Sequence, residues 1–307
     1  MMKVLLKAVA LLLTAPAFAS SPLENEIGKI ASRIDSVVGV SALHVESGQR
    51  ISSRGSERFP MGSVYKFPIG MTVMREIDRG RMIIDRKVMI TPEQFGVGYS
   101  WIRDEAKGKP VAMTIGRLVK AMVGDSDNTA CDYLLELVGG GEVVTAHMRE
   151  LGITAIDVNR SERAIDKDIK RRGGREAYFK DPRDTATPDA LVTLLLKMHQ
   201  KKDGLSADSR KYLLDAMILT KTGPKRMKAA VPAAATLAHK TGTMPGTVND
   251  VGIITSPDNR NHIVIAVLTK AGRKSTLEER EAVIADITRA VYEAFTAKSA
   301  GSTKNRR

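Results

Sequence analysis

Three short groups of polar residues in this 307-residue chain have the types and spacing to attack a carbonyl: Ser63-Val64-Tyr65-Lys66, Ser126-Asp127-Asn128 and Lys240-Thr241-Gly242. A serine and a lysine three residues apart share one face of a helix. That sets a hydroxyl nucleophile beside an amine able to take its proton. About one Ser-X-X-Lys is expected by chance in a chain of this composition, and alone it reads as an ordinary helix start with Ser63 as N-cap. The two downstream groups, which add a second hydroxyl and a second amine, change that reading.

The elements that must carry these groups follow from periodicity. Ile27, Ile30, Ile34 and Val37 have helical spacing, predicting a helix over 22–37. Residues 38–45 alternate and lead into Glu46-Ser47-Gly48-Gln49, a strand and hairpin turn. Helices are predicted over 61–79, 114–123, 129–137, 141–151 and 188–200, so Ser63 and Lys66 fall on a first turn and Ser126-Asp127-Asn128 just precedes a helix, where Asp127 is assigned to backbone hydrogen bonding. Between them 157–187 reads as a long polar connection, of the kind that is functional or disordered. A helix from 206 to about 220 is expected to stop at Gly223-Pro224, with Gly223 as its C-cap; Lys221-Thr222-Gly223 is therefore rejected as a catalytic group. Strands follow at 236–243, 250–256 and 262–269, the last apolar enough to be central. A helix over 276–298 opens with a Thr276/Glu279 capping box.

The fold class is thus α/β of the α+β kind: one antiparallel sheet built from both chain ends and flanked by helices, with an inserted all-helical lobe. The expected division is a sheet lobe of 20–59 and 201–298, a helical lobe of 60–200 that includes the loop 157–187, and a disordered basic tail of 299–307. The active site belongs in the cleft between the lobes.

Residues 1–19 read as an export signal: Lys3 and Lys7, an apolar run from Ala8 to Leu13, and the small-X-small pattern Ala17-Phe18-Ala19. Cleavage near Ala19 leaves Ser20 first, not a lipidated cysteine, and no segment is apolar enough for stable membrane insertion. A periplasmic or secreted monomer is expected. The net charge of +13 falls to about +11 without Lys3 and Lys7. Aromatics make up 4% and do not interleave with the basic clusters, which argues against nucleic acid as a partner; anionic small molecules suit the surface better. Cys131 is the only cysteine, so no internal disulfide forms, and a buried apolar role suits it. The five histidines lack zinc-site spacing, and neither metal nor cofactor is indicated.

In order and separation the three groups resemble the active-site set of class A serine β-lactamases and the related penicillin-binding proteins. The likeness covers nearly all of the chain after the leader. Arg58-Phe59-Pro60-Met61, Arg226 to Pro232, Asp181 to Pro188 and Gly246-Thr247-Val248-Asn249-Asp250 all look like family sequence. The resemblance implies a β-lactam substrate, Ser63 as nucleophile and Lys66 as its base, with positive charge from Lys240 holding the Lys66 amine partly neutral. It further implies that Ser126 relays a proton to the lactam nitrogen and that Asn128 binds the substrate's side-chain amide. Lys240, Thr241 and Thr243 would hold the substrate carboxylate, and the amides of Ser63 and Thr243 would form an oxyanion hole. Arg226 matches an arginine that some members keep for that carboxylate, with a solvated surface residue as the other reading.

A lactamase differs from a transpeptidase in a second base that activates water. Arg160-Ser161-Glu162-Arg163-Ala164-Ile165-Asp166 stands where the family has Arg-X-Glu-X-X-Leu-Asn, which makes Glu162 the candidate, and Arg160 is expected to pair with Asp184 at the loop's neck. Asp166 replaces the asparagine, and a carboxylate can donate to water only when protonated. The loop is about nine residues longer than the family's through 167–180, and Thr243-Met244-Pro245-Gly246 is one residue short. Hydrolysis of β-lactams is the leading reading, followed by a D-alanyl-D-alanine peptidase-like penicillin-binding enzyme. A non-catalytic β-lactam or cell-wall sensor comes third, because a pure binder has no need of Ser63, Lys66, Ser126 and Lys240 together.

Overall fold

The computed structural model describes residues 21–171 and 174–300; the predicted leader and the tail from 301 lie outside these. Five antiparallel strands form the main sheet in the order Arg50–Ser53, Val37–His44, His262–Lys270, Thr247–Thr255, Thr236–Met244. The apolar strand His262–Lys270 is central, as its composition predicts. Alternation explains why it is apolar on both sides: Ile263, Ile265 and Val267 join one core with Ile27, Ile284 and Phe295, whereas Val264, Ala266 and Leu268 join the other with Phe67 and Leu191. The first core is closed by the helices Pro22–Ala31 and Leu277–Ala300, one from each end of the described chain. The second is covered by Pro188–His199 and the helices that carry the polar groups.

The first helix stops at Ala31, short of the predicted 37. The Asp35 carboxylate accepts the backbone N–H groups of Arg273, Lys274 and Ser275, at 2.9, 2.8 and 3.0 Å, and so holds its own segment in a turn. Helix Ala207–Ile218 closes at Leu219, so Gly223 is not its cap; with φ of 60° it sits in the turn before Pro224. The strand predicted from 250 begins at Thr247, paired with Met244. The Thr276/Glu279 capping box is present and its helix runs on to Ala300. A hairpin of Lys87–Ile90 and Val111–Thr114 has no counterpart in the sequence reading.

The largest correction concerns 157–187. This stretch contains two helices, Glu162–Arg171 and Arg175–Lys180, and returns through Thr185–Ala186, which pairs with Phe59–Pro60 just ahead of Ser63. The connection is therefore anchored to the segment that leads into the Ser63 turn.

Candidate active site

Ser63 lies in a 3-10 turn, Gly62–Tyr65, that runs directly into the helix Lys66–Asp78, and no side chain caps either element. Lys66 is wholly buried. Its Nζ donates to Ser63 Oγ at 3.0 Å, Ser126 O at 2.9 Å and Asn128 Oδ1 at 2.5 Å, and stands 2.9 Å from Glu162 Oε1. An ammonium has three protons, fewer than these oxygens need. The contact with Glu162 lies off the hydrogen-bond direction, so Oε1 is held by charge and has no directed donor.

Ser126 sits between the helices Ile115–Gly124 and Asn128–Leu137 at φ 63°, a left-handed conformation that costs a non-glycine residue about 1–3 kcal/mol and marks a constrained site. Asp127 supplies the constraint. It caps the second helix through Ala130 N–H at 3.0 Å and binds Ile102 N–H at 3.0 Å and the Ser100 hydroxyl, the structural role expected of it. The turned-out Ser126 hydroxyl then accepts from Lys240 Nζ at 3.0 Å. Lys240 is also wholly buried. Burial pushes its ammonium well below the ordinary value and the charge of Lys66 adds to this, while Asp250 and Glu162 oppose it.

Strand Thr236–Met244 reaches the Ser63 turn because Gly242 has no side chain. A Cβ there would lie 2.4 Å from Met61 O and 3.2 Å from Val64 N. Asn249 secures the same approach by donating to Pro60 O and Met61 O, both at 2.9 Å. Arg226 is not a solvated surface residue. It is buried, donating to Thr243 Oγ1 at 2.7 Å, to Gly242 O and Asn249 O, and to Glu281 at 3.1 Å. Ser63, Ser126, Asn128, Glu162, Thr241 and Thr243 line one cleft of about 280 Å³.

Its wall also contains Met244, from the shortened segment after the strand, and three residues that sequence reasoning did not place there: Gly98, Tyr99 and Thr222. Thr222 belongs to the rejected Lys-Thr-Gly; its hydroxyl touches that of Thr241, while Lys221 points to solvent and pairs with Asp125. Asp132 was missed as well, although it lies one helical turn after Asn128 and shares its face. Its carboxylate accepts Glu162 N–H at 2.7 Å and Arg163 N–H at 3.2 Å, and so caps the helix that presents Glu162. Burial pushes the Asp132 pKa up to about 6.

At the neck Arg160 Nε donates to Asp184 at 2.6 Å, the pairing anticipated from sequence, and Nη1 reaches Asp168 and Asp181 at 2.8 and 3.0 Å. Asp166 is not drawn to Glu162. It pairs with Lys170 at 2.7 Å, one turn further along the helix.

Cys131 is buried and donates to the Tyr65 hydroxyl at 3.3 Å. Among the described residues no group of three His, Cys, Asp or Glu is arranged to hold a metal ion, and no helix is long and apolar enough to cross a membrane.

Residues 22–295 match the family described as "Beta-lactamase enzyme family". Beta-lactamase VEB-1 of Pseudomonas aeruginosa is 32% identical over 85% of this chain and 86% of its own length. A β-lactamase from Chitinophaga pinensis superposes with a TM-score of 0.81 at 31% identity, over 89% of this chain and 99% of that one. A variant of the class A β-lactamase of the last common ancestor of Gram-negative bacteria gives a TM-score of 0.80 at 33% identity, covering 91% and 100%.

Proposed function

This chain belongs to the β-lactamase enzyme family, of class A, and from the arrangement around Lys66 we propose that it hydrolyses the β-lactam amide through an acyl-enzyme on Ser63 that Glu162-activated water then clears. The observation that carries this is the position of Lys66 Nζ, within 3.0 Å of both Ser63 Oγ and Glu162 Oε1. One amine joins the nucleophile to the second carboxylate, so a proton leaving Ser63 has a short route to either group.

Ser63 Oγ attacks the lactam carbonyl and passes its proton to the Lys66–Glu162 pair. The backbone N–H groups of Ser63 and Thr243 take up the oxyanion, each contributing about 3 kcal/mol in sites of this kind. As the C–N bond breaks, the Ser126 hydroxyl gives its proton to the lactam nitrogen and recovers through Lys66 Nζ, 3.5 Å away, the proton that Ser63 gave up, which frees Glu162, while Lys240 Nζ at 3.0 Å stabilises the charge passing through Ser126 Oγ. Water then attacks the ester, Glu162 takes its proton, and Ser63 Oγ leaves and is reprotonated by that same proton through Lys66 Nζ, which restores the resting site. Asn128 orients the acyl side chain, with its own amide fixed by the bond from Nδ2 to Val97 O at 2.7 Å.

Lys240, Thr241 and Thr243 bind the substrate carboxylate. Arg226 acts through Thr243, because three of its four bonded partners are structural and the fourth is the Thr243 hydroxyl. The leader read from residues 1–19 sends the enzyme to the periplasm or the medium, where β-lactams arrive.

Continuous turnover of a chromogenic cephalosporin by the full-length mature chain tests the proposal. Linear product release over many equivalents is expected. A single stoichiometric burst would instead support the penicillin-binding reading, and no covalent mass at Ser63 with any penicillin would remove both.

A further inference from the structure

The helix Arg175–Lys180 belongs to the segment that makes this loop long, and two of its side chains turn inward. Tyr178 is 5% exposed and joins the buried core that holds Phe59, Met61 and Val64, on either side of Gly62. Phe179 lies against the turn that follows Lys240-Thr241-Gly242. At Gly246, where φ is 77°, a Cβ would fall 2.4 Å from Phe179 Cζ, so the ring sits directly on the turn backbone. The two rings are 6.2 Å apart. Beneath them a Cβ on Gly62 would lie 3.2 Å from Met244 Cγ, and Met244 lines the cleft. Glu176 closes the arrangement from outside through an ion pair with Arg273 at 2.6 Å.

We infer that Tyr178 and Phe179 are specificity-determining residues, bracing the 244–246 turn against Gly62 and thereby limiting the bulk of acyl side chain that the cleft admits. The inference rests on the β-lactam reading above and assigns to the long loop a part in choosing the substrate. Interiors pack at crystal-like density and transmit displacement, so a ring seated on the turn holds Met244 in place. Without the ring the turn can withdraw, and the space gained lies beside Met244 in the wall of the cleft. Tyr178 works at the other end of the same brace, keeping the helix close to Gly62.

The test compares a penicillin with a small acyl side chain and a cephalosporin with a bulky oxyimino side chain, assayed on the mature chain, on Phe179→Ala and on the milder Phe179→Leu. For Phe179→Ala the ratio of kcat/KM, bulky over small, is expected to rise about tenfold, within the range by which a change in pocket shape discriminates substrates. Most of the rise should appear as a lower KM for the bulky compound, and Phe179→Leu should fall between, which keeps the comparison available if the alanine variant does not fold. Tyr178→Phe should shift the ratio in the same direction by less. A ratio unmoved in both Phe179 variants while the parent turns over both compounds would overturn the brace and leave the hydrolytic reading intact. A parent inactive on both compounds would overturn that reading, and the brace with it.

Discussion

The two sides of the cleft are built by different forces. Lys66 and Lys240 are set by packing: both amines are wholly buried, on a helix whose Phe67, Ile69, Met71 and Val73 fill the core and on a strand pressed against the Ser63 turn. Glu162 stands on a mostly polar helix kept in place by ion pairs at Arg160 and by the Asp132 cap. Apolar packing changes little with pH, whereas caps and ion pairs depend on protonation. On the proposed mechanism, attack by Ser63 is therefore the robust half of the cycle, and clearance by Glu162 the half open to perturbation.

Lys66→Ala should have the largest effect, because it removes the one group common to both sides. A fall of about 10³ in kcat/KM is expected, within the usual range for a general base, and stopped-flow acylation measures it. If acylation keeps its rate, Lys66 does not serve Ser63. Arg160→Ala comes next. Breaking a buried pair costs about 3–5 kcal/mol, since the buried Asp184 loses its cation and keeps only the backbone N–H groups of Asn159 and residue 160. Limited proteolysis should then cut within 157–187 while Ser63 still acquires a penicillin adduct; loss of the adduct together with the loop would show that the two sides are not separate.

Asp132→Asn should change how stability depends on pH. The pKa of Asp132, about 6 in the folded chain against an ordinary 3.8, lies above its unfolded value. Its neutral form is therefore the one that folding favours: the stabilisation is complete below about pH 4 and is lost as the pH rises through about 6, a swing of about 3 kcal/mol. Asparagine keeps one acceptor for Glu162 N–H and removes the swing, which thermal melts at pH 4.5 and pH 7 would register. Equal pH dependence in parent and variant would contradict it. Asp166→Asn should do least, about 0.5 kcal/mol or under in stability, because it breaks only an exposed i,i+4 pair with Lys170. A large loss of deacylation in that variant would place Asp166 beside the water after all.

The same contrast governs what could be read in advance. Ser63, Lys66, Ser126 and Lys240 could be singled out because three short motifs carry them in the order and separation of a known family, and the structure brings the four together. The central strand His262–Lys270 declared itself by composition. The helix Glu162–Arg171 did not. Only Ile165 and Ile169 mark its inner face, and its start is fixed by Asp132, thirty residues earlier in sequence. The first helix was overextended for a related reason, since Asp35 is committed to a loop more than two hundred residues away. Arg226 looked equally suited to solvent until Glu281 and the end of strand Thr236–Met244 were seen to bury it. Tyr99 carries no spacing signal, because it reaches the cleft only through tertiary folding, and the motif around Thr222 points to the wrong residue, Lys221, which pairs with Asp125 instead.

The most direct measurement is intact-protein mass spectrometry of the parent and of Glu162→Ala at intervals after mixing with one penicillin. Both should gain the mass of the opened lactam on Ser63; in the parent it should vanish within the turnover time, and in the variant it should persist about 10²-fold longer or more. An adduct cleared equally fast from both would contradict the role given to Glu162.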